Sequence, residues 1–242
     1  MKNYFVIILF LNFINLFSQK IDFESHTTVY YEFSFQPDST DVNSKKTEFM
    51  NLYIGENKSL FENRDWIRYD SIISAGRITR HFNFDALPRS AVTFSIFANK
   101  EKFLLADNFQ LGKLKYEENI DNLQWIIKKD TKRINNFVCQ KAVCEFGKRK
   151  YIAWFCPEIP LTEGPYKFKK LPGLIFEVND SNNYFSFKLT EIKKEIKNIS
   201  KDYSNFISVP KNDYYKTKQN IIDVANAKLN RRSNTKSNPI EN

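Results

Sequence analysis

The reactive side chains of this 242-residue sequence are few and partly clustered: three cysteines, two histidines, and carboxylates, lysines and aromatics between positions 154 and 177. A cysteine nucleophile wants a histidine partner, and neither His26 nor His81 has a recognisable setting. Three cysteines allow one disulfide and one leftover thiol. Glu158, Glu163 and Glu177 could serve acid–base chemistry or a hard cation if two converged. Lys167, Lys169 and Lys170 form a small positive cluster suited to an anionic ligand or lipid head group, and Trp154, Tyr166 and Phe168 are ligand-contact types. Each has a plainer reading, and the plainer reading is preferred: solvated loop charges, Glu177 on the solvent side of a strand, and aromatics, Trp154 among them, that tuck a loop onto a sheet. HExxH, GxSxG, P-loop, GxGxxG and CxxC patterns are all missing. No catalytic, metal or cofactor-binding residue is assigned.

These residues must be positioned by strands. Phe137–Phe146 and Arg149–Cys156 are apolar-rich runs separated by Gly147-Lys148, which predicts a two-residue hairpin, with Gly147 suiting a type II′ turn. In that register partners sum to 295. One face then carries Ala142, Cys144, Phe146, Tyr151, Ala153 and Phe155. The other is mixed, with Lys141, Val143, Ile152 and Trp154, and sets Cys139 opposite Cys156 as the disulfide candidate. Cys144, on the apolar face, reads as a buried inert thiol.

Pro157 to Pro172 follows as a loop holding four of the eight prolines. Long loops are uncommon and often functional, and proline stiffens this one. Glu158, Glu163, Tyr166, Lys167, Phe168 and Lys170 are its candidate surface residues. Leu171-Pro172-Gly173-Leu174-Ile175 then leads into a strand over Leu174–Val178, with Leu174, Phe176 and Val178 expected on one face. Tyr184–Ile192 returns with Phe185, Phe187 and Leu189 aligned.

Upstream, strands are expected at Thr28–Phe35, Thr47–Ile54, Ile67–Ile73, Val92–Ala98, Lys102–Ala106 and Leu123–Ile127. Residues 77–89 are ambiguous. The aromatic content of 16%, with 23 Phe and 12 Tyr, suits pleated surfaces. The fold class expected is mainly β: an antiparallel meander forming a curved sheet or partial barrel over 20–210. A polar C-terminal helix at Asp213–Leu229, striped by Ile222, Ala225 and Leu229, and a disordered tail from Asn230 complete residues 211–242.

Residues 1–19 combine Lys2 with an apolar run from Tyr4 to Phe17, too short to span a bilayer, and read as a secretory signal peptide. The remaining chain holds no second long apolar stretch, so a mature chain that is not transmembrane is expected in the periplasm, at the outer membrane or outside the cell. The formal charge of +9 is dispersed among acidic residues, which argues against a nucleic-acid partner.

Several spaced motifs resemble the GLPGLI family, secreted proteins typical of Bacteroidetes. They are Cys139-Gln140-Lys141-Ala142, Phe146-Gly147, Tyr151-Ile152-Ala153-Trp154, Glu158-Ile159-Pro160, Gly164-Pro165-Tyr166-Lys167-Phe168 and Lys170-Leu171-Pro172-Gly173-Leu174-Ile175. Lys170 replaces the leading glycine of the hexapeptide; if that position needs positive φ, the lysine is strained there. The resemblance implies export and no agreed activity. The function expected is a non-catalytic binding or transport-accessory protein of the cell envelope, taking a lipid, peptide, glycan or envelope protein. The alternatives are a hydrolase with a carboxylate site and a surface-assembly protein using edge-strand pairing.

Overall fold

Period-two alternation, rather than helical periodicity, runs through most of this chain, and its described residues form one twelve-stranded open sheet. The computed structural model describes residues 20–66, 90–109, 111–120 and 123–235, with 72, 76 and 79. The strands are β1 (Lys20–Phe35), β2 (Lys46–Ile54), β3 (Ser59–Asn63), β4 (Phe94–Ala98), β5 (Lys102–Phe109), β6 (Gly112–Asn119), β7 (Ile126–Ile134), β8 (Phe137–Phe146), β9 (Arg149–Cys156), β10 (Leu174–Asp180), β11 (Phe185–Asp202) and β12 (Ile207–Ser208). Their order is β12-β6-β5-β4-β3-β2-β1-β11-β10-β9-β8-β7. Every pair is antiparallel except β12 with β6. A helix, α1 (Lys211–Thr235), follows β12. The mainly β expectation is therefore met, with the sheet curved and unclosed.

The curvature follows from a distance argument. Six strands separate β4 from β8, so a flat sheet would hold them roughly 34 Å apart at the usual strand spacing. Yet the Tyr166 ring lies 5.8 Å from Phe94 on β4 and 6.4 Å from Phe146 on β8. The sheet curls round its apolar face, helped by register shifts in the long β1–β11 pair at Ser25/Thr27 and Tyr30/Tyr31. Aromatic cross-strand pairs line the inside: Phe33 stacks on its partner Phe187 at 4.3 Å, and Phe35 faces Phe185.

The β8–β9 register is the expected one, from Gln140↔Phe155 to Phe146↔Arg149. The turn differs. Both Gly147 (φ 57) and Lys148 (φ 62) are left-handed, which makes it type I′ rather than II′, the geometry that matches strand twist best. In β10 a bulge between Ile175 and Glu177 overturns the expected face sharing. Ile175 opposes Phe155 and Val178 opposes Ala153 on the core side, whereas Leu174 opposes Cys156 on the other, where Phe176 packs 5.4 Å from Phe137.

Other expectations shift. The strands at Ser59–Asn63 and Gly112–Asn119 were not anticipated, β7 begins at Ile126 inside the expected Leu123–Ile127 and runs on to Ile134, and β11 runs on to Asp202. Most of Ile67–Ile73, and most of the ambiguous 77–89 stretch, lies outside the described residues; Ile72 is helical, not extended. The signal segment 1–19, His81 and the tail 236–242 also lie outside them, while the helix continues past Asn230 to Thr235. Among the described residues no helix is long and apolar enough to cross a membrane.

Candidate functional site

The proline-rich loop does not decorate the surface; it fills the hollow of the curled sheet. Phe168 is 1% exposed and meets Tyr151 at 4.8 Å, Trp125 at 6.0 Å, Phe146 at 6.0 Å and Phe187 at 6.2 Å. Tyr166, half-buried with φ 57, meets Phe94, Phe146 and Phe187. These two rings, with the Trp125 indole donating to the Lys169 carbonyl at 2.8 Å, hold the loop to the sheet. Trp154, given that role from the sequence, instead lies on the outer side under the Lys132 ammonium, 4.5 Å from its ring centre.

Two of the loop's lysines are inside as well, which corrects the solvated-face expectation for Lys167 and Lys169. Lys167 is 2% exposed, bonded to the Tyr116 hydroxyl at 2.9 Å and to the Glu118 carboxylate. Burial pulls its ammonium down from the ordinary 10.5 to about 7, and the charge of Lys211 pulls the same way. Lys169 pairs with Glu163 at 2.8 Å and donates to Ser59 Oγ at 3.1 Å, and Ser59 donates to the same carboxylate at 3.0 Å. Of the six candidate surface residues, only Glu158 and Lys170 are exposed. A curled sheet needs something to occupy its axis, and a buried loop must carry partners for every charge it takes with it.

The motif residues close this plug. Leu171, Leu174 and Ile175 are buried and Pro172 is exposed. Gly173 backs so closely onto Cys156 that a Cβ would stand 2.1 Å from the Cys156 carbonyl oxygen. Lys170 has φ 69, the left-handed conformation suspected from the missing glycine.

Glu118 and Asp107, interior carboxylates that sequence reading passed over, anchor α1. Lys211 also binds Glu118; Asp107 accepts from Thr93 Oγ1 at 2.5 Å, Lys218 at 2.6 Å and the Tyr214 hydroxyl. The signal was present: Glu118 is in phase with Leu114 and Tyr116 on the inward side of β6.

The carboxylates weighed for catalysis do not share a partner set. Glu158 accepts from the Val138 amide at 3.1 Å, Glu163 binds Lys169 and Ser59, and Glu177 binds Lys132 at 2.5 Å. Among the described residues no group of three His, Cys, Asp or Glu could hold a metal. Cys139, Cys144 and Cys156 are buried free thiols, and burial pushes Cys139 and Cys144 up to about 12, far from a thiolate nucleophile.

With the concave side filled, the accessible concavity lies on the outer side of β7–β9. Ile126, Val143 and Ile152 are cross-strand partners in one row, bracketed by the Glu145–Lys150 pair, in a cleft of about 710 Å³ whose rim includes Gln124 and Ser181. Ile126 is 59% exposed, although it is apolar. The sequence marked Val143 and Ile152 as apolar members of a mixed face; it gave no sign that β7 would add Ile126 beside them. A second hollow of about 240 Å³, with Trp66, Tyr203 and Phe206 on its rim, sits over the outer side of β3–β6.

A family described as "Protein of unknown function (Porph_ging)" matches residues 145–177, a stretch that runs from the end of β8 through the hairpin and loop into β10. No curated protein matches the chain. Among solved structures, PNGF-II in space group C2 has a similar fold, with a TM-score of 0.51 at 14% identity over 78% of this chain and 32% of that one. PNGF-II in space group P21 gives 0.50 at 16% identity over 79% and 32%. The chain spans about a third of the length of those structures, and at such identity the likeness concerns the fold alone.

Proposed function

We propose that this chain is an exported, non-catalytic binding protein of the cell envelope, akin to the GLPGLI proteins its motifs resemble, and that its working surface is the outer side of β7–β9. The observation that carries the reading is the apolar row Ile126–Val143–Ile152 in an open cleft, beside a strand whose other edge has no neighbour among the described residues. Interior charge is already paired and the thiols are shielded, which leaves the described residues without an evident nucleophile or acid–base pair.

The occupant that fits is an extended peptide lying along β7. Pairing to that edge supplies main-chain hydrogen bonds, and alternate side chains then fall into the cleft. Lys128, Lys129 and Arg133 on the same strand favour an acidic segment. Those charges, with the register shift between Ile127 and Thr131, also discourage β7 from pairing with its own copies.

Thermal-shift and fluorescence-anisotropy titrations with extended acidic peptides, alongside lipid vesicles, glycans and divalent metals, test this. Saturable peptide binding that Ile126→Asp abolishes, without change in melting temperature, is the expected result. A folded protein that responds to no peptide, or binds equally well with Asp at position 126, overturns it. Export is checked separately, by amino-terminal mass spectrometry of the chain recovered from cell fractions.

A further inference from the structure

The two-residue turn fixes more than the β8–β9 register. In such a hairpin the residues flanking the turn, Phe146 and Arg149, exchange hydrogen bonds, and the two pair types alternate outwards from there. The non-hydrogen-bonded pairs are then 145/150, 143/152 and 141/154. Gln140↔Phe155 is the last paired position, and continuing the alternation one step past it brings Cys139 opposite Cys156. Partners of this type stand about 4.5 Å apart at Cα, inside the roughly 4.4–6.8 Å range that a disulfide spans. Both side chains are 0% exposed, while Cys144 belongs to the opposite side of the same strand.

We propose that Cys139 and Cys156 are an oxidation site, joined as a cross-strand disulfide before folding is complete. One thiolate attacks a disulfide of the oxidant, an oxidised glutathione or a thiol–disulfide oxidase, and expels a thiolate from it. The second cysteine, as thiolate, attacks the mixed disulfide and expels the other. Two protons leave the pair, and two electrons reduce the oxidant to its dithiol or to two thiols.

The order of events comes from burial. Both side chains are 0% exposed in the folded chain, and the backbone of Cys156 is itself tied down, with Ile159 donating to its carbonyl at 3.2 Å and Gly173 backing onto that same oxygen. Once the chain is folded, neither sulfur is reachable, and burial holds Cys139 as a thiol at about 12, so it supplies almost no thiolate near neutral pH. The same burial shields a formed bond from reductants. The pair is a staple set during folding rather than a switch.

Refolding decides it without reference to compartment. The reduced, denatured full-length chain is refolded in a glutathione redox buffer; a second portion is folded under reducing conditions first and then transferred to the same buffer. Free thiols are counted by mass spectrometry after maleimide labelling in denaturant. One thiol in the first portion, with a Cys139–Cys156 linked peptide, and three in the second are expected; with Cys144→Ser the counts become none and two. The bridged form should melt about 5–10 °C higher. Three thiols in both portions, or a bridge through Cys144, overturns the site. One thiol in both portions overturns the order of events.

Discussion

The concave and outer sides of β8–β9 are two sides of the same ribbon, yet they handle charge and apolar surface in opposite ways. Inside, Phe168 is enclosed by five rings and Lys167 and Lys169 each have a carboxylate partner. Outside, Glu145 and Lys150 are each 76% exposed at 3.9 Å, and Ile126 stands half in water with no neighbour strand beyond it among the described residues. The difference teaches that the motif-bearing loop is the fixed part of the molecule and the plain-looking β7–β9 surface the available part. Polar residues in the loop are conspicuous because the loop is buried, and buried charges need partners, not because they meet a ligand.

The largest expected effect lies inside. Phe168→Ala removes the buried ring through which the loop packs on β8, β9 and β11 and should cost about 3–5 kcal/mol in urea unfolding, against roughly 0.5 kcal/mol or less for Ile126→Asp. Comparable costs at the two positions would break the contrast, because the loop would then be no plug.

The next effect concerns interior charge. Lys167 is drawn down to about 7 in the folded chain against an ordinary 10.5, so between those values the unfolded chain holds a proton that the folded chain has released. Its contribution to stability therefore rises with pH from about 7 and is lost as pH falls back through 7. Above about 9 the opposite sign enters: Cys144 and Tyr116 titrate higher folded than unfolded, and that stability disappears as pH rises. The useful window is pH 7–9. There the stability of wild type relative to Lys167→Met should grow by about 1–2 kcal/mol, measured as urea midpoints across the range. Parallel profiles would mean that Glu118 keeps Lys167 charged throughout, which would make the plug an ion-paired one.

What the sequence disclosed follows the range of the interactions. The 137–156 hairpin was legible to the residue because a two-residue turn sets its register locally. Its turn type was not, since Gly147 fits both I′ and II′ and strand twist decides between them. The fate of the loop was illegible because Lys167 finds Glu118 49 positions away, and the alternation of Leu114, Tyr116 and Glu118 in GKLKYEEN marks a strand face without naming its partner. The β10 bulge reversed a parity argument that was sound for an unbroken strand. The cleft was half legible: Val143 and Ile152 were on the mixed face, but only non-local pairing brings Ile126 to them.

The smallest effect separates the two regions by backbone alone. Two lysines adopt left-handed φ, Lys148 at 62 in the exposed hairpin turn and Lys170 at 69 where the plug loop meets its motif. Replacing a side chain by glycine at such φ relieves about 1–2 kcal/mol of steric cost, less the extra freedom the glycine gives the unfolded chain. Lys148→Gly and Lys170→Gly should each gain about 0.5–1 kcal/mol, a rise of roughly 2–3 °C in melting temperature. Equal gains mean that the strain is local and both side chains are dispensable to the fold. A gain at Lys148 with a loss at Lys170 means that the Lys170 side chain helps hold the loop in place. The plug would then extend one residue further towards solvent than its buried members indicate.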